Sequence, residues 1–244
     1  MVAGAEIVSS AVAAPGRQGS SLPLLRLESG TLEALKWIGL VLMAFDHVNK
    51  YLLHDSIPAL FDAGRLALPI FSFVLAYNLA HPTSLAKGVY GRVARRLAIA
   101  GLLATVPFIG LGGLLWEWWP FNILFMLLVS VGVMALIERG RTLRLIAAGL
   151  LFVFGGAMVE FWWPAVVMTL AAWRYTRRPT WTSLIVWIAA TASLYVINRN
   201  LWALAALPLI FLAPHVVVTM PRIRHVFYVF YPLHLLVLWI ITRI

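Results

Sequence analysis

From about residue 34 to its end, the sequence repeats one unit: an apolar stretch of membrane-crossing length, then a short break rich in Arg, Gly or Pro. In hydrocarbon a backbone amide finds no water, so a spanning segment must satisfy its hydrogen bonds internally. A helix does so with roughly 20 mostly apolar residues. Such segments fall at about 34–53, 64–80, 91–111, 120–137, 143–159, 161–175, 182–197, 201–219 and 225–242. The fold class read from them is all-α: a polytopic membrane helix bundle of about nine transmembrane helices, in one domain over residues 34–244. The short pair around Glu160 also reads as one re-entrant or kinked element. At 62% hydrophobic and 11% charged residues, the chain lies far from the roughly 25% charged content of a soluble domain. No large extramembrane domain is left to carry function.

The charges order these segments. With nine spans and a cytoplasmic N-terminus, the inner loops hold 15 of the 19 Lys and Arg, and the outer side keeps only Lys50, Arg65, Arg199 and Arg243. Merging two spans would put basic clusters outside, against the positive-inside rule. The net charge of +10 is therefore read as topology, and nucleic acid has no place among the expected partners. Trp116–Trp119 and Phe161–Trp163 fall at the expected outer interface, as an aromatic belt would. Residues 1–33 are dominated by Gly, Ala, Ser and Pro and read as a mobile cytoplasmic tail. They lack the basic start and compact apolar core of a signal peptide.

Asp46 and His47 stand inside the first apolar segment. A charged side chain at that depth costs about 2.5–3.5 kcal/mol on insertion scales, and these are two common proton-handling groups. Neighbouring helical residues diverge by about 100°, so the two do not form a side-by-side dyad. Asp46, Asn49 and Lys50 share one stripe, and His47 shares another with Met43, Tyr51 and His54. Asp46 either serves the chemistry or pairs with Lys50 or Arg65. Arg65 either belongs to the site or snorkels to the interface. Arg92, Arg95 and Arg96 share a helical face that suits phosphate oxygens, or they merely set topology. Asn122 opens the fourth span. In the last span His234 follows Tyr231 by three residues, either as a functional group or within a core aromatic stripe. Glu160 is accounted for by an interfacial turn.

Cysteine is absent, which excludes disulfides, thiol nucleophiles and thiolate metal sites; no metal site is expected. There is no Gly-x-Ser-x-Gly elbow, His-Glu-x-x-His pair or phosphate-binding glycine loop. No internal repeat of the transporter kind is visible.

Four stretches, LMAFDHVN at 42–49, GRLALPIF at 64–71 with AYN at 76–78, the arginines at 92–96, and YPLHL at 231–235, resemble the TraX family of conjugative-pilus proteins, including its TrbP-type members. The resemblance runs from about residue 31 to 240. TraX is similar in turn to the integral-membrane acyltransferase-3 superfamily, whose first span carries a basic residue, ten intervening residues and a histidine. Lys36 and His47 have that spacing. Many members of the superfamily carry Arg where Lys36 stands.

The resemblance implies a multi-pass protein of the bacterial inner membrane that modifies a small membrane-embedded pilin. It implies acetylation of the pilin N-terminus from acetyl-CoA. On that reading His47 is the base and Asp46 orients it or a partner. Asn49, Lys50, Arg65, Asn122, Tyr231 and His234 would hold the substrate or the oxyanion. Lys36, Arg92, Arg95 and Arg96 would hold the cofactor phosphates. Head-to-tail cyclisation of the pilin without CoA, with Asp46 as acyl carrier, stays open. So does a proton-coupled transporter or pilin chaperone. The oligomeric state is not legible.

Overall fold

The computed structural model describes residues 22–116, 118–223 and 225–244. The twelve α-helices among them are α1 (Ser29–Tyr51), α2 (Pro58–Gly64), α3 (Ala67–Ala80), α4 (Val89–Gly110), α5 (Ile123–Glu138), α6 (Thr142–Leu150), α7 (Gly156–Met158), α8 (Trp162–Arg177), α9 (Trp181–Ser193), α10 (Tyr195–Asn198), α11 (Ala206–Leu212) and α12 (Val226–Ile241). Several join end to end. α2 passes into α3 through Arg65 and Leu66, and a π-helical turn at Leu151–Gly155 links α6 to α7. Short 3-10 turns flank α11. Among the described residues the helices therefore group into nine rods, which follow the nine expected segments in order.

Pro58–Ala80, Val89–Gly110 and Trp181–Asn198 are long and apolar enough to cross a membrane. α4 shows why the exterior is membrane-like. Its residues Leu97, Ala100, Ala104 and Phe108 are buried, while Ile99, Leu102, Leu103 and Val106 are exposed. Both stripes follow helical spacing and both are apolar, a pattern suited to packing on one side and lipid on the other. α1 has the length of a span but carries Glu33, Lys36, Asp46 and Lys50.

Polar contacts join like ends of the rods. The ion pair Arg177–Glu138 ties the end of α8 to the end of α5. At the opposite face Asn200 donates to Asp62 over 2.9 Å, and Phe121 and Val159 form a bridge beside the turn that separates α7 from α8. That turn, at 159–161, makes the pair around Glu160 two rods rather than one.

The expected tail over 1–33 is corrected in part. Helix α1 begins at Ser29, five residues before the expected span, because Thr31 donates to the Val216 carbonyl (2.7 Å) and the buried Glu33 pairs with Lys36. Residues 22–28 lie against the bundle. Leu22 and Leu25 are buried, the Leu27 amide donates to the Tyr77 hydroxyl (2.9 Å), and Tyr175 donates to the Pro23 carbonyl (2.8 Å). The rest of the expected tail, 1–21, lies outside the described residues.

Candidate functional site

His47 projects from α1 toward His234 of α12. His47 Nδ1 and His234 Nε2 are 2.7 Å apart, and the rings are nearly parallel with centroids 4.9 Å apart. His234 Nδ1 lies 2.9 Å from the Phe230 carbonyl oxygen. A carbonyl only accepts, so Nδ1 of His234 carries the proton and its Nε2 offers a lone pair. His47 Nδ1 must then be the donor to His234. In the neutral imidazole this leaves the lone pair of His47 on Nε2, which has no hydrogen-bond partner among the described residues. The tautomer of His47 is thus set by a chain of two hydrogen bonds anchored on backbone.

Among the described residues no hydrogen bond joins the Asp46 and His47 side chains. Arg65 Nη2 donates to Asp46 Oδ2 over 2.5 Å. The same guanidinium donates to the Phe61 carbonyl (3.1 Å) and to Asn198 Oδ1 (3.3 Å), and lies 4.2 Å above the Phe61 ring. Both side chains are largely buried, at 14% and 12% exposure. Of the roles left open in the sequence, the structure assigns Asp46 the ion pair with Arg65. Arg65, with three acceptors already engaged, is a brace across α1, the α2–α3 break and α10 rather than an open oxyanion donor.

A cavity of about 1530 Å³ runs through this region. Asp46, His47, Lys50, Tyr51, Glu160 and Tyr231 line one part of it, and Lys36, Lys87, Arg92, Arg96, Arg174 and Arg222 another. It exceeds the roughly 300–1,000 Å³ of a small-ligand site. The rings of Tyr51 and Tyr231 stand 5.9 and 6.5 Å from that of His47. Lys50 lies 5.1 Å from the Tyr51 ring, Lys36 lies 4.7 Å above Phe227, and Arg96 sits 5.9 Å from Tyr228.

Three expected members stand elsewhere. Asn122 caps α5, accepting from the Leu124 amide (3.2 Å) and donating to the Gly101 carbonyl (2.9 Å), and it does not line the cavity. Asn49 is buried and accepts from the Ile57 amide (3.0 Å), closing the turn after α1. Arg95 is exposed and turned away from the cavity, because i+4, and not i+3, keeps Arg92 and Arg96 on the cavity side of α4. Sequence reasoning missed the linkage of His47 to His234, the Asn198 contact and the cavity position of Glu160. It also left Arg174 and Arg222 out of the site. Their charge was visible in the sequence, but their convergence on one mouth was not.

A family model described as TraX protein matches residues 31–242. The chain belongs to the TraX family. Protein TraX of Escherichia coli (strain K12) is similar to it, with 30% identity over 141 residues, 55% of this chain and 51% of that protein. The match thus spans about half of that relative's length. No solved structure matches. The family match covers His47, His234, Asp46 and every Lys and Arg that lines the cavity of this TraX-family chain.

Proposed function

We propose that this TraX-family protein is a membrane-bound acyltransferase that acetylates the N-terminus of a small membrane-embedded conjugative pilin. The observation that carries this reading is His47, fixed by His234 with its Nε2 lone pair free, lining one cavity together with a group of Lys and Arg side chains. Nine membrane crossings, a cytoplasmic N-terminus and a bacterial inner-membrane location belong to the same proposal. In that orientation the basic mouth faces the cytoplasm.

The donor set suits a polyphosphate cofactor. Arg92, Arg96, Lys87, Arg174 and Arg222 would hold the phosphates of acetyl-CoA by charge-assisted hydrogen bonds. When bound, acetyl-CoA would supply the acetyl group as a thioester and would leave as the CoA thiol, taking up the proton that His47 holds. His47 Nε2 takes the proton shed by the attacking amine. The positive charge that then develops on His47 is shared through its Nδ1–H with His234 Nε2. His234 is held ready for this by the Phe230 carbonyl. Lys50 and Tyr231 line the cavity with His47 and would donate to the oxyanion.

The deciding experiment is the intact mass of pilin made with and without this protein. Acetylation adds one acetyl group. Loss of water or of a C-terminal tail instead would establish ring closure and remove acetyl-CoA from the account. Activity of the purified protein in detergent, with no gradient present, excludes a proton-coupled transporter.

A further inference from the structure

The turn between α7 and α8 was accounted for in the sequence by interfacial chemistry alone, yet Glu160 at its centre lines the same cavity as His47. The turn is pinned in place. The Glu160 amide donates to the Phe121 carbonyl (2.9 Å) and the Phe121 amide to the Met158 carbonyl (2.8 Å). The next two residues, Phe161 and Trp162, both take left-handed backbone angles, φ 59° and 48°. Two successive non-glycine residues rarely adopt that region.

Among the described residues no ion pair and no side-chain hydrogen bond engages the Glu160 carboxylate. Lys50, Tyr51, Ile123 and Tyr231 line the same cavity. Glu160 is also far from the basic mouth. It precedes α8, whose other end carries the cavity-lining Arg174, about 20 Å away at the helical rise. Glu160 is half-buried in the cavity wall, and its carboxylate offers a counter-charge to a cation that enters there.

We infer that Glu160 is the binding group for the ammonium of the acceptor, a peptide amino terminus that enters the cavity from the end opposite the basic mouth. This rests on the acceptor being an amine, as proposed above. Lys50 is then a competing cation that the incoming ammonium displaces from the field of Glu160. Anionic cofactor and cationic acceptor enter from opposite ends and meet at His47, so the sign of the charge at each end sorts the two substrates.

The test reads binding and needs no acyl transfer, so it stands apart from the acetyl-CoA reading. A short apolar peptide with a free amino terminus and its N-acetylated twin are titrated against the purified full chain in detergent. The free-amine peptide binds the wild type about tenfold or more tightly than the twin, the scale of one hydrogen bond to a charged group. Glu160→Gln abolishes that preference, Glu160→Asp keeps part of it, and Arg95→Ala, on the exposed side of α4, keeps it whole. Equal preference in wild type and Glu160→Gln overturns the assignment. Should Glu160→Gln fail to fold, Lys50→Met decides. Removing the competing cation strengthens free-amine binding if Glu160 is the ammonium site. An unchanged preference with a lowered melting temperature shows a mere Glu160–Lys50 pair and overturns it.

Discussion

His47 Nδ1 and His234 Nε2, 187 residues apart in sequence, lie 2.7 Å apart across α1 and α12. The bond dictates which nitrogen of His47 is basic. His234→Ala frees His47 to adopt the other tautomer and leaves its imidazolium without an acceptor. The expected loss of acyl transfer is about 100-fold, against about 100- to 10,000-fold for His47→Ala. Initial rates on pilin measure it, with melting temperatures showing that both variants fold. Full activity of His234→Ala would remove the relay from the mechanism.

Asp46 and Arg65 form a largely buried ion pair. Removing one partner strands the other, at a cost of about 3–5 kcal/mol. Arg65→Ala and Asp46→Ala should each lower the unfolding midpoint strongly, whereas Asp46→Leu combined with Arg65→Met should recover most of the loss. Unfolding in mixed micelles checks this. Arg65→Lys should not substitute, because one ammonium cannot match a planar guanidinium that reaches Asp46, Phe61 and Asn198 together.

Arg92 and Arg96 line the cavity and Arg95 does not. Arg92→Ala and Arg96→Ala should each raise the KM for acetyl-CoA by about tenfold, with kcat little changed, while Arg95→Ala leaves it within about twofold. Steady-state kinetics with varied acetyl-CoA separates the three. Equal effects at all three positions would point to a general surface charge.

Residues 22–28 are held by Tyr77 and Tyr175. Tyr77→Phe should cost about 1 kcal/mol and speed limited proteolysis within 22–28. An unchanged cleavage rate there would mean that this stretch is not held by the Tyr77 hydroxyl.

The rods were legible because apolar length and Arg-rich breaks are local signals. The start of α1 was not, since Thr31 and Glu33 are polar in composition but satisfied by Val216, Lys36 and the Ile223 amide, all contacts with side chains or backbone that composition does not reveal. Asp46 and His47 are neighbours in sequence but not in their contacts. Adjacency in a helix separates two side chains, and each found its partner on another rod. Counting could not have paired the histidines either. Trp37 and Phe227 touch with centroids 5.5 Å apart, yet ten residues lead from Trp37 to His47 and seven from Phe227 to His234. Arg95 falls outside the cavity because a face drawn through i, i+3 and i+4 is wider than the cavity it meets.

The Arg65 brace has one more consequence. Oil does not choose between one oily face and another, so helices in lipid gain little from hiding apolar surface against each other. The identity of neighbours must then be written in a few polar rivets, here Asp46–Arg65–Asn198 at one face and Glu138–Arg177 at the other. Between the rivets, residues such as Leu102, Leu103 and Val106 need only remain greasy. A chain built this way can drift widely in its letters while its assembly instructions stay confined to a handful of positions.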